Sequence, residues 1–177
     1  FIGALTAADR IDGGDGVDTL VLQGGGYDGF TLGSSIVNIE NVSILAGSNM
    51  NFGEPGTGRH DYRIATSDSN FAAGVRARIN GSALLAGEDF HFDGSAETDA
   101  SFVIYGGRGV DTLIGGHGAD IFIYAEERFA PGDTVNGGPG VAPSAAFSLA
   151  GEGVRWRDAV VRALTVAGRW DPARLQL

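Results

Sequence analysis

The sequence predicts an all-β chain folded as a parallel β-solenoid, with a short C-terminal α-helix. Three observations lead there. Residues 106–114, GGRGVDTLI, recur at once as residues 115–123, GGHGADIFI. Both copies carry glycine at the first, second and fourth places, aspartate at the sixth and a large apolar residue at the eighth. Between residues 31 and 105, short stretches alternate apolar with polar residues, as in Val75/Ala77/Ile79 and Phe90/Phe92, while Gly, Asn, Asp and Ser punctuate them. No stretch before residue 150 has a convincing helical period. Many short strands with frequent turns suit either a sandwich or a solenoid. The tandem nonapeptide favours the solenoid.

The elements follow in chain order. Residues 4–12, ALTAADRID, keep Asp9 and Ile11 in the nonapeptide register but lack its glycines. Residues 13–21, GGDGVDTLV, match the template, with Asp18 sixth and Leu20 eighth. After one extra residue, QGGGYDGFT at 23–31 supplies Asp28 and Phe30. Strands are then predicted within SIVNIENVSIL, HDYRIAT, GVRARING, GEDFHFDGS and ASFVIYGG, which lead into the tandem pair. Beyond it the repeat decays. RFAPGDTVN at 128–136 keeps Asp133 and Val135, and GGPGVA at 137–142 has the glycines but Ala142 in place of the aspartate.

Residues 1–142 therefore form one predicted solenoid domain, and 143–177 a non-repeat tail. In the tail, Trp156, Val160, Ala163, Leu164 and Ala167 fall at helical spacing, which predicts a helix at about 154–167. A single apolar stripe gives only a marginal helix in water, so the tail must either dock over the open end of the solenoid or hang free. Hanging free is the favoured expectation, because the repeat breaks at Val141–Ala142, inside a turn. The chain opens on FIGALTAADR, without an initiator Met or a signal peptide, and is expected to be a piece of a longer polypeptide.

Composition narrows the chemistry. The net charge is −10, and all twelve bases are arginine. That balance argues against nucleic acid and anionic membrane surfaces and favours cations as partners. Cysteine is absent, which excludes disulfides and thiolate metal sites and leaves bound metal as the usual staple for a secreted domain. No apolar run approaches the roughly 20 residues of a membrane span, so no membrane insertion is expected. There is no H-E-x-x-H, no G-x-S-x-G and no Cys/His pair, and no enzymatic activity is expected. His60, His91 and His117 lack metal spacing, and GGGYDG at 24–29 lacks the Lys-Ser/Thr of a phosphate loop.

Six residues of turn and three of strand make half a coil of a flattened solenoid. Its glycines are expected to reach backbone conformations closed to residues with a Cβ, and to turn carbonyls inward. The sixth-place carboxylate points into the same space. Several carbonyls with few carboxylates suit Ca²⁺, at six to eight oxygen ligands, better than the tight octahedron of Mg²⁺.

Residues 106–123 resemble the RTX, or haemolysin-type, calcium-binding repeat, whose signature is this nonapeptide. The resemblance implies a parallel β-roll in which successive turns lie on opposite edges and Ca²⁺ sits between turns stacked on the same edge. It carries the metal ligands to Gly14, Gly16 and Asp18, to Gly107, Gly109 and Asp111, and to Gly116, Gly118 and Asp120. It also implies a bacterial protein, secreted unfolded and folding outside the cell in calcium.

The chain departs from the family pattern by never placing three intact nonapeptides in a row. The 106–111 turn is expected to pair with 128–133, or upstream with GSAETD and Asp99, and the 115–120 turn with 137–142. Asp9 and Asp28 are candidates to share an edge, leaving Asp18 without an evident partner. One to four sites of uneven affinity are expected. Asp9, Asp28, Asp99 and Asp133 read more simply as ordinary turn acids. Two alternatives to a stand-alone calcium module are a self-associating surface-layer or adhesion segment, and the C-terminal secretion module of an exported hydrolase.

Overall fold

The computed structural model describes residues 5–50, 58–125 and 128–139; the predicted helix at 154–167 and the rest of the tail, with Val141 and Ala142, lie outside them. Twelve strands are formed among the described residues, and no helix. In chain order they are β1 (Ile11–Asp12), β2 (Thr19–Gln23), β3 (Asp28–Thr31), β4 (Ile36–Val37), β5 (Asn41–Leu45) and β6 (Tyr62–Ala65). Then come β7 (Arg76–Asn80), β8 (Phe90–Asp93), β9 (Ser101–Tyr105), β10 (Thr112–Ile114), β11 (Ile121–Ile123) and β12 (Thr134–Asn136).

Every pairing is parallel and joins a strand to its counterpart one coil away. One five-stranded sheet runs β2-β5-β7-β9-β11, and the facing one runs β3-β6-β8-β10-β12. The chain is a parallel β-solenoid. Among the described residues a short third face is formed at the N-terminal end, where β1 pairs with β4 through Ile11↔Ile36. The step from coil to coil is uneven: Thr19 pairs with Asn41, twenty-two residues on, and the next coil of that sheet is the longest. Asn41 pairs with Arg78, thirty-seven residues on, and Arg76 with Ser101, twenty-five on. Val103 pairs with Ile121 after eighteen, which is two nonapeptides. The tandem repeat thus sets the shortest coil, with its seventh to ninth places forming β10 and β11.

Alternation in the strands explains the core. Ala77 and Ile79, Phe90 and Phe92, and Phe102 and Ile104 point between the sheets and are wholly buried. Leu113 and Phe122, the eighth places of the tandem pair, are buried as well and lie in opposite sheets, not in one hairpin. Phe102 stacks edge-on against Phe71 and Phe92, both at 5.3 Å between ring centroids. Each such side chain contributes about 1.5–3 kcal/mol through burial. Parallel pairing from coil to coil, interrupted by a register shift between Asp28 and Phe30 where β3 meets β6, places successive turns above one another and so builds the two edges.

Candidate metal centre

The first edge carries the chain from the β5-β7-β9-β11 side to the facing sheet. Its stacked turns include 81–89, 106–111 and 128–133. The second edge returns the chain, through 66–75, 94–100 and 115–120, with 137–139 following. The two tandem nonapeptides therefore lie on opposite edges.

Asp111 and Asp120 plug their turns in the same way. Each side chain is wholly buried. The Gly107 amide donates to Asp111 Oδ2 at 2.8 Å, and the Gly116 amide to Asp120 Oδ2 at 2.9 Å. Asp120 Oδ1 also accepts from the Phe102 amide of the coil below at 2.7 Å. Asp111 Oδ1 is buried and makes no hydrogen bond of good geometry, although the Phe90 amide and the Tyr124 hydroxyl stand near the carboxylate. Burial pushes the Asp111 carboxyl up to about 7, and the Asp133 carboxylate adds to this, against the lowering effect of the Gly107 and Phe90 amides. Burial likewise raises Asp120 and Asp133. The Tyr124 phenol is held neutral first by burial and then by Asp111 and Asp133.

The first edge stacks acid on acid. The Asp111 amide donates to Asp133 Oδ1 at 2.7 Å, and the Val110 amide to Asp89 Oδ1 at 2.7 Å. Asp89, Asp111 and Asp133 thus come from three consecutive turns. Of the two partners expected for the 106–111 turn, the structure selects 128–133. The GSAETD turn instead lies beneath 115–120, where the His117 amide donates to the Glu97 carbonyl at 2.9 Å. Placing 106–111 against Asp99 is therefore corrected: the two turns are on opposite edges, as the half-coil rhythm requires. Gly138 approaches Gly115 and Gly116, so the 137–139 segment does follow 115–120.

The 13–18 turn is built differently. Gly14 and Gly16 are exposed, while Asp18 is half-buried and its Oδ2 has no partner. The Asp18 amide donates to Glu40 Oε2 at 2.8 Å, so Asp18 does have a neighbour in the next coil. Asp9 and Asp28 do not share an edge. Asp9 accepts from Thr6 within its own turn, whereas Asp28 opens β3 and pairs with Arg63 at 3.7 Å on the exposed sheet face.

The tandem glycines are not required for the reason expected of them. Gly14 and Gly16 do take left-handed φ values of 78° and 127°. None of Gly107, Gly109, Gly116 and Gly118 is among the residues with positive φ. Their need is space: a Cβ on Gly109 would lie 2.2 Å from the Glu88 carbonyl oxygen, and one on Gly118 2.3 Å from that of Ala100. Stacked turns approach backbone to backbone, so the coil below forbids a side chain. This separates the two sites experimentally. Gly14→Asn, with open space around it, should cost a few tenths of a kcal/mol, since Asn tolerates left-handed φ. Gly109→Asn should cost about 1–3 kcal/mol or more through overpacking, read by denaturant melts. Equal losses at the two positions would refute the distinction.

A second group includes Asp99, expected from the sequence only as a turn acid, and two residues the sequence did not single out. Asp68, Glu97 and Asp99 bring one carboxylate oxygen each within 4.8 Å of one another on the second edge. The available signal was the recurrence of Gly-Ser-Ala at 81–83 and 94–96, which marks two equivalent turns. Among the described residues no helix is long and apolar enough to cross a membrane. No family model, curated protein or solved structure matches the chain. What defines it is its own architecture, a parallel β-solenoid with carboxylates stacked along both edges.

Proposed function

We propose that this chain is a non-catalytic calcium-binding module of the RTX kind, whose glycine/aspartate turns take up Ca²⁺ and thereby stabilise the solenoid. The observation that carries the reading is the first edge. Acids from three consecutive turns are stacked there through backbone amides, Asp133 and Asp89 both raise the Asp111 carboxyl, and Asp111 is wholly buried with one oxygen lacking a well-formed hydrogen bond. Burying a charged carboxylate is costly unless it is paired, and a hard cation among oxygen donors removes that cost. Gly107 and Gly109 on this edge, and Gly116, Gly118 and Asp120 on the other, supply the remaining candidate ligands. Gly14, Gly16 and Asp18 form a separate, more open candidate with its own unpartnered oxygen.

The acidic balance, with twenty-two acids against twelve bases, supports the same physics. Without cations the acids repel one another; a ligand that binds only the folded state stabilises it by mass action. Export of an unfolded chain followed by folding in extracellular calcium fits this behaviour. Titration calorimetry on the full chain tests the assignment. Wild type should bind Ca²⁺ with dissociation constants of roughly 10⁻⁴–10⁻³ M, the range of extracellular modules. Asp111→Ala combined with Asp120→Ala should lose sites. Unchanged stoichiometry in a folded double variant would sink the nonapeptide assignment.

A further inference from the structure

We propose that Asp68, Glu97 and Asp99 form a second kind of divalent-cation site, which clamps the 66–75 turn to the 94–100 turn on the second edge. None of these residues belongs to an intact nonapeptide, so the site stands apart from the one assigned to Asp111 and Asp120.

Glu97 is the centre of the group. It is wholly buried, and its Oε2 has no hydrogen-bond partner. Its other oxygen, Oε1, accepts from the Asp99 and Ala100 amides at 3.3 and 3.2 Å. Packing does not require a carboxylate at this place. In the equivalent Gly-Ser-Ala turn of the first edge, Leu84 holds the same position. The Leu84 amide donates to the Gly81 carbonyl at 2.9 Å, as the Glu97 amide does to that of Gly94 at 3.0 Å, and Leu84 is equally buried. A leucine suffices for the fold there. A glutamate in its place carries a desolvation cost that the turn itself does not repay.

The neighbours of Glu97 make that cost larger. Asp68 and Asp99 are exposed acids whose carboxylates face it, and their charge adds to the burial that already raises the Glu97 carboxyl. Among the described residues no arginine forms an ion pair with any of the three. The basic group that faces them is His117, from the turn above, which acts on Asp68. Asp68 is itself held in place, because its Oδ1 accepts from the Thr98 amide at 2.8 Å and the Thr98 hydroxyl at 2.7 Å. Three carboxylates within 4.8 Å, Asp68 held by Thr98 and Glu97 buried and incomplete, offer hard oxygen ligands open to solvent on one side. Such a set selects a hard divalent cation. The position one coil earlier clarifies what the ion does. Asn70 there donates its amide nitrogen to the Gly33 and Ile36 carbonyls at 3.0 and 2.7 Å, bridging the coils with a neutral side chain. At Glu97 the bridge is left to a cation.

Calcium titration of the full chain provides the test, with Asp68→Asn plus Asp99→Asn compared with wild type and with the Asp111/Asp120 double variant. In Asp68→Asn the new amide oxygen can still accept both Thr98 bonds, and both substituted positions are exposed, so the fold is retained. Wild type should bind one more Ca²⁺ than Asp68→Asn/Asp99→Asn. In chelator that variant should melt no lower than wild type, and higher if repulsion dominates; in saturating calcium it should melt lower. Identical stoichiometry and an unchanged calcium response overturn the site. Loss of one site here with no change in the Asp111/Asp120 variant supports it while removing the nonapeptide assignment, so the two readings fail separately.

Discussion

In the presence of chelator, the protein should lose stability as the pH rises from about 4 to 8, and calcium should abolish or reverse that loss. The reason lies in Asp111. Its carboxyl is raised by burial from its ordinary value of 3.8 to about 7 in the folded chain, with Asp133 contributing. Between these values the folded state holds a proton that the unfolded chain has released, so stability is full below the unfolded value and falls as the pH passes through the folded one. The difference for this one group is on the order of 4 kcal/mol. For a domain of this size that corresponds to a fall in melting temperature of about 10 °C. Asp120, Asp133 and Glu97 are all raised by burial and act in the same direction. Asp68 is lowered through its Thr98 bonds and acts oppositely, but it is exposed and weighs little. Bound Ca²⁺ would hold the buried acids ionised, so the profile should flatten or invert when calcium saturates. Thermal melts at pH 5 and 8, with chelator and with excess calcium, read both arms. Stability that rises with pH in chelator would show that backbone amides alone suffice to keep these acids charged.

Phe102→Ala should be the most damaging single substitution in the core, costing about 3–5 kcal/mol. Phe102 is wholly buried on β9, and its ring meets Phe71 and Phe92 edge-on. Those contacts add about 0.5–1.5 kcal/mol each beyond area burial. The Phe102 amide also binds Asp120, so a shift of β9 would loosen the 115–120 turn. Arg108→Ala, at an exposed variable place of the nonapeptide, is the matched control and should stay within about 0.5 kcal/mol. Denaturant unfolding of the two variants measures the contrast. A loss at Phe102 no larger than that at Arg108 would mean that the aromatic ladder does not bear on stability.

The degree to which each part could be read from the sequence follows from how local its cause is. Strand alternation is a property of neighbouring residues, so Ala77/Ile79, Phe90/Phe92 and the eighth-place Leu113 and Phe122 were legible as core. The nine-residue period likewise forecast β10, β11 and even the decayed β12 with Val135. Its glycines were also legible as obligatory, though not for the right reason. Gly14 and Gly16 answer to their own backbone angles, which is a local matter. Gly109 and Gly118 answer to carbonyls of Glu88 and Ala100 in the coil below.

By itself, then, the sequence determined the all-β class, the parallel stacking rhythm and the identity of the turn acids Asp18, Asp111 and Asp120. Only the tertiary structure decided which turns meet. Alternation of turns along the chain tells which edge a turn joins, and so excludes Asp99 as a partner of Asp111, but the turns of one edge differ in length, so it does not tell which side chains meet on it. Closure of the coils set the Asp133 carboxylate against the Asp111 amide and gathered Asp68, Glu97 and Asp99 from two separate turns. Stacking parallel strands in register converts distant residues into vertical neighbours, and the chemistry of both edges resides in those vertical contacts.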